Sequence, residues 1–173
     1  DDTTTNAIEE ILEDNGVVAV QFFINAGDTK TTGLDFVMNY RNIDLWNGTL
    51  DASLAANFNK TTISAINTPT ALAENGYNIF ADIEKGLITN SRPRSKVILG
   101  LDYSCENWDI GLYNTAFGEV TVTSPKGSEY NQTLSSKVAT DVSITYNITD
   151  KLSLTGIVNN LFDVYPDVTD EST

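Results

Sequence analysis

The chain has 173 residues, with 24 acids against 10 bases and no histidine, for a formal charge of −14. That length suits one domain with a sizeable core or a piece of something larger, and so acidic a surface argues against a nucleic-acid partner. The single cysteine, Cys105, has no second thiol for a disulfide or a zinc site and no histidine to activate it, so no metal, cofactor or catalytic thiol is expected.

The chain opens on "DDTTTNAIEE", which lacks the basic start and apolar run of a signal peptide. No stretch approaches the roughly 20 apolar residues of a transmembrane helix, although a membrane-crossing strand needs only about 9 to 11 residues and leaves a weaker trace. Residues 6–15, "NAIEEILEDN", predict a short helix. Asn6 and Glu9 have capping-box spacing, Ile8, Ile11 and Leu12 share one face, and Gly16 can end it.

Beyond Gly16 the period becomes two, and seven runs carry apolar residues at alternate positions. The first has Val18, Val20, Phe22 and Ile24. The second has Leu34, Phe36, Met38 and Tyr40, and the third Leu50, Ala52, Leu54, Ala56 and Phe58. The fourth has Val97, Leu99, Leu101 and Tyr103, and the fifth Trp108, Ile110 and Leu112. The sixth has Val138, Val142, Ile144 and Tyr146, and the seventh Leu152, Leu154 and Val158. Successive side chains of a strand point to opposite faces, so each run predicts a strand with one apolar and one polar face. Five aspartates, Asp35, Asp51, Asp102, Asp109 and Asp141, fall on the polar face and no charge falls on the apolar one.

Short connections ("RNIDLWNG", "SCEN", "NITDK") alternate with long ones at 60–93 and 118–136, the pattern of up-and-down hairpins. The first long connection has helical signals of its own: Thr68 and Pro69 open a turn ending near Gly76, and Ile79, Phe80, Ile83 and Leu87 predict a second helix stopping at Gly86.

Periodicity alone leaves the solvent of the apolar face open. Tyr40, Tyr103 and Tyr146 each close an apolar run before a short turn and Trp108 follows one, where membrane-interface aromatics belong. A polar face rich in Asp, Asn, Ser, Thr and Gly suits a wet lumen, and most runs are long enough for the roughly 25 Å apolar band of an outer-membrane barrel. Two further stretches carry a specific likeness. "QFFINAGDTKTTGLDFVMNYR" resembles a barrel hairpin of TonB-dependent outer-membrane receptors. "ATDVSITYNITDKLSLTGIVNNLFDVYP" is similar to the last full hairpin of that family, with Asn159, Asn160, Leu161, Phe162, Asp163, Tyr165 and Pro166 matching in order.

The resemblance implies an all-β fold of antiparallel up-and-down hairpins, part of a transmembrane β-barrel that curls into a small barrel or half-barrel if isolated. Residues 1–173 would be the C-terminal part of a receptor barrel of about 22 strands, without the plug domain, energy-coupling box or final strand. It implies a location in the outer membrane of a Gram-negative bacterium. The activity implied is TonB-coupled uptake of a scarce nutrient: a ferric siderophore, haem, cobalamin or an oligosaccharide. Implied partners are outer-membrane lipid, the TonB complex through the plug, and the small-molecule ligand; open strand edges allow self-association of an isolated piece. No catalytic residue and no cofactor is implied. Tyr77, Phe80, Asn90, Arg92 and Arg94, in or beside the long loop, are the candidate ligand contacts. Against that, Tyr77 and Phe80 can pack the loop's own core, and Arg92 and Arg94 can pair with acids.

"NNLFDVYP" reads as structural anchors, and the tail "DVYPDVTDEST" lacks the alternating spacing of a calcium loop. Two other classes remain. A soluble β-sandwich or small barrel would bind carbohydrate or an apolar ligand on Trp46 and Trp108 and would bury the alternate apolar residues against a second layer. A glycosidase would use paired carboxylates of the polar face.

Overall fold

The computed structural model describes residues 16, 25–68, 70–74 and 80–169. The predicted helix at 6–15 and the first alternating run lie outside these residues. Each of the other six runs forms a strand, and all six join one antiparallel sheet: β1 (Gly27–Leu45), β2 (Gly48–Ile66), β3 (Ser95–Cys105), β4 (Trp108–Phe117), β7 (Lys137–Thr149) and β8 (Leu152–Val158). Each is hydrogen-bonded to the next in that order, and the sheet is open among the described residues. Two short strands, β5 (Val120–Val122) and β6 (Gln132–Leu134), form a separate hairpin inside the second long connection, where no strand was expected.

Register sets the two faces. Leu54 stands opposite Met38 on one side and Leu99 on the other. Leu101 meets Leu112, which meets Val142, which meets Val158. The predicted apolar positions therefore form one continuous stripe. It has no cover: among the described residues no hydrophobic side chain is buried, and Leu34, Ile144 and Leu154 are 66%, 43% and 68% exposed. The second layer that a soluble sandwich requires is missing from the described residues, and that expectation is corrected.

The opposite face is tied together by polar groups. Asn57 donates to Asp35 at 2.6 Å and Asn59 to Asn57 at 2.8 Å, and Thr145 bonds Thr155 at 2.8 Å. All five aspartates of this face accept hydrogen bonds. Asp51 takes the amide of Asn42, whose φ of 55° marks a bulge between Tyr40 and Ile43. Asp102 takes the Tyr113 hydroxyl, Asp109 takes Ser104 and Asn147, and Asp141 takes the amide of Asn160. They stitch strands and turns together.

The two ends differ as predicted, with shifted boundaries. Two-residue turns at Trp46–Asn47, Glu106–Asn107 and Asp150–Lys151 close one end. At the other, β1 and β2 continue as a two-stranded ribbon beyond the start of β3, so the long connection begins after Ile66 and not at 60. That connection holds two helices, α1 (Thr70–Glu74) and α2 (Asp82–Thr89). α2 runs through Gly86 where a stop was expected. Gly86 is a point of contact with the second long connection, since a Cβ there would lie 1.9 Å from Thr123 Oγ1.

Candidate functional site

The long-loop end of the polar face holds the hollows worth examining. α2 presents Asp82 and Glu84 in its first turn, which favours the positive end of its dipole. Its C-terminal carbonyls are capped in turn: Asn90 and Ser91 amides donate to Gly86 at 2.8 and 3.0 Å, and Arg94 Nη2 donates to Thr89 at 3.2 Å. The same nitrogen donates to Asn90 Oδ1 at 2.6 Å, and the Thr121 amide reaches the Asn90 carbonyl at 3.3 Å. Asn90 thereby links α2, the following segment and β5. Among the described residues Arg94 pairs with no carboxylate, contrary to one reading of the sequence.

Arg92 differs from Arg94. It is exposed and makes no hydrogen bond or ion pair with the described residues. With Leu87, Thr89, Arg94 and the polar-face residues Asn59 and Thr61 it lines a hollow of about 490 Å³. Asn59 and Thr61 top the ladder that starts at Asp35.

A second hollow of about 260 Å³ lies across Pro93, which lines both. Its wall is mostly apolar: Phe117, Val120, Leu134, Ala139 and Tyr165. The tail after β8 completes it. Asn160, in the left-handed region at φ 51°, accepts from the Val164 amide at 3.0 Å and donates to the Val164 carbonyl at 3.1 Å, so its side chain clamps the "NLFDV" turn. Asp167 then accepts from the Ser135 amide and hydroxyl, each at 2.6 Å, and from Lys137 Nζ. Lys137, followed by the two Ser135 bonds, holds the Asp167 carboxyl well below the usual carboxylate range.

Of the sequence candidates, Asn90, Arg92 and Arg94 come together here. Phe80 lies apart, its ring edge 3.3 Å from where a Cβ of Gly27 would sit. Tyr77 lies outside the described residues. The strand residues lining the hollows, Asn59, Thr61 and Phe117, went unrecognised because nothing local distinguishes them from other polar-face positions.

Aromatic side chains lie at the short-turn end. Trp108 and Tyr146 stand opposite each other with ring centroids 4.5 Å apart. Tyr103 donates to the Leu45 carbonyl at 3.2 Å and meets Trp46 edge-on at 6.3 Å. Tyr40 projects freely at 66% exposure. Trp46 extends this row and was missed because it sits inside a turn. Among the described residues no group of acids and thiols is disposed to hold a metal ion.

An open antiparallel sheet with an uncovered apolar face, a bonded polar face, a row of aromatics at its short turns and long structured loops at its far end is the wall of a membrane barrel. The family model described as "TonB dependent receptor-like, beta-barrel" matches residues 1–161. No curated protein and no solved structure matches the chain. The chain belongs to the TonB-dependent receptor β-barrel family, whose members are outer-membrane receptors and transporters of Gram-negative bacteria.

Proposed function

We propose that residues 1–173 form a C-terminal stretch of a receptor barrel that takes up a scarce nutrient across the outer membrane with energy from the TonB complex. The nutrient would be a ferric siderophore, haem, cobalamin or an oligosaccharide. The uncovered apolar stripe carries this reading: lipid is the solvent that makes Leu34, Ile144 and Leu154 favourable where they stand. The polar face lines the passage, the short turns face the periplasm and the long loops face outward. In this arrangement Arg92 meets the ligand, while Asn90 and Arg94 hold the loop that presents it and Phe80 supports that loop. The reading assigns no reaction to the chain, because its polar-face carboxylates are engaged in structural hydrogen bonds.

Cell fractionation and uptake test it together. The protein is expected in the outer-membrane fraction, and loss of TonB is expected to abolish uptake of the nutrient as completely as loss of the gene. Recovery as a soluble protein, or uptake indifferent to TonB, contradicts the proposal.

A further inference from the structure

The chain is strongly acidic, yet four of its ten bases converge on the long-loop end of the polar face: Arg92, Arg94, Lys96 and Lys137. Their availability differs. Lys137 is paired with Asp167, and Lys96 lies over the Phe117 ring at 5.3 Å from its centroid. Arg94 is committed to Asn90 and the Thr89 carbonyl, and the acid beside it, Glu119, lines a different hollow that does not include Arg92. Among the described residues nothing engages the Arg92 guanidinium, which lies in a hollow whose described lining has no acid. A guanidinium offers a rigid fork of donors matched to carboxylate, phosphate or sulfonate oxygens.

Next to that cation, across Pro93, is the apolar hollow. Among its described lining residues the one base, Lys137, is paired with Asp167, so these residues offer a ligand contact area and no unpaired charge. At about 260 Å³ it exceeds the roughly 150 Å³ of an apolar cavity that takes up benzene. Phe117 and Tyr165 bring aromatic surface to its lining.

We propose that these two hollows form one subsite for an amphipathic anion: an acidic group on Arg92 and an aromatic or branched apolar portion across Pro93 in the hollow of Phe117, Ala139 and Tyr165. This rests on the proposed uptake function and narrows its ligand class. A neutral sugar would leave Arg92 without a counter-charge, and a compact hydrophilic anion would leave the apolar hollow unused.

The test uses the purified receptor in detergent with three probes, 4-phenylbutyrate, 4-phenylbutan-1-ol and butyrate, followed by calorimetry. Probe heats are compared between wild type and variants, which cancels partitioning into micelles. Phenylbutyrate is expected to bind at least about tenfold more tightly than either other probe, about the effect of one charge-assisted hydrogen bond. Arg92→Gln removes the advantage over the alcohol and leaves the alcohol's own affinity unchanged; Ala139→Phe removes the advantage over butyrate. Equal affinity for phenylbutyrate and the alcohol in the wild type, or an Arg92→Gln variant that keeps the difference, overturns the assignment. TonB-dependent uptake measured on the same strains separates the two claims. If it persists while the probes do not discriminate, only the ligand class falls.

Discussion

Tyr113 lies across two glycines on the polar face. Gly100 faces it from β3 and Gly111 precedes it by two residues on β4, and both are buried beneath the ring. A Cβ at Gly111 would come within 2.8 Å of the ring and 2.5 Å of Ser143 Oγ, and one at Gly100 within 3.1 Å of the ring. Asp102 holds the ring down by accepting its hydroxyl. The glycines are there because the ring needs the space that a side chain would fill. Gly111→Ala is therefore expected to destabilise the folded barrel by about 1–3 kcal/mol, the usual cost of overpacking. In a Tyr113→Ala background the same change should cost less, because of these contacts only the one with Ser143 Oγ remains. Urea unfolding from lipid vesicles measures both, and equal costs in the two backgrounds would refute the account.

Asp167 gives a second prediction at the same scale. Its pKa lies below the unfolded value, so the stabilisation it gives the tail is present above the ordinary carboxylate range and is lost only as the pH falls through the depressed folded value. From neutral pH down past the usual carboxylate range the Ser135 amide should stay protected from hydrogen exchange. Asp167→Asn should speed that exchange at neutral pH. An unchanged Ser135 rate in the variant would remove the latch from the description.

At the scale of elements, the two faces of each strand make opposite predictions for one substitution. Arginine at Leu101, mid-stripe on β3, should cost about 2–4 kcal/mol in a bilayer, whereas arginine at Asn39 on the polar face should cost little. Similar costs at the two positions, read from folding titrations into vesicles, would mean that the faces are misassigned. This alternation was legible in the sequence wherever apolar residues filled one face. It failed where they did not. Residues 60–66 read as part of the long connection, yet they pair with the start of β1 as far as Gly27 opposite Ile66, with one register shift between Asp28 and Thr29 and Thr31 bonded to Thr61 at 2.8 Å. Threonine has the branched side chain of a strand former but gives no polar-apolar contrast to read. β5 and β6, three residues each, are too short for any period to show. Gly86 was taken for a helix stop, but what fixes it is the approach of Thr123, 37 positions away and invisible locally. The candidate site was partly legible for the same reason. Asn90, Arg92 and Arg94 lie together in one polar loop segment, whereas the strand positions facing them become neighbours only through register.

For the whole molecule, distribution of charge and apolar area matters more than any single contact. A sheet with no buried apolar side chain among its described residues gains little from the hydrophobic effect in water, so a bilayer must supply the environment that rewards its stripe. Under the proposed function the aromatics at Tyr40, Tyr103, Trp108 and Tyr146 would mark the periplasmic boundary, and the ribbon of β1 and β2 beyond Ser95, with α2 against it, would stand outside the membrane. β1 and β8 each have one neighbour among the described strands, and in the receptor the remaining barrel strands would pair with them.

Lipid contact along the stripe is tested most directly by quenching of single tryptophans with brominated lipids. With Trp46 and Trp108 replaced by Phe, a tryptophan is placed at Leu101 or at Ile98, neighbours on β3 that face opposite ways. In outer-membrane vesicles carrying mid-chain bromines, Leu101→Trp is expected to be strongly quenched and Ile98→Trp to fluoresce nearly as in unbrominated lipid. Equal quenching at the two positions, or quenching of Ile98→Trp alone, would contradict the assignment of the apolar face to lipid.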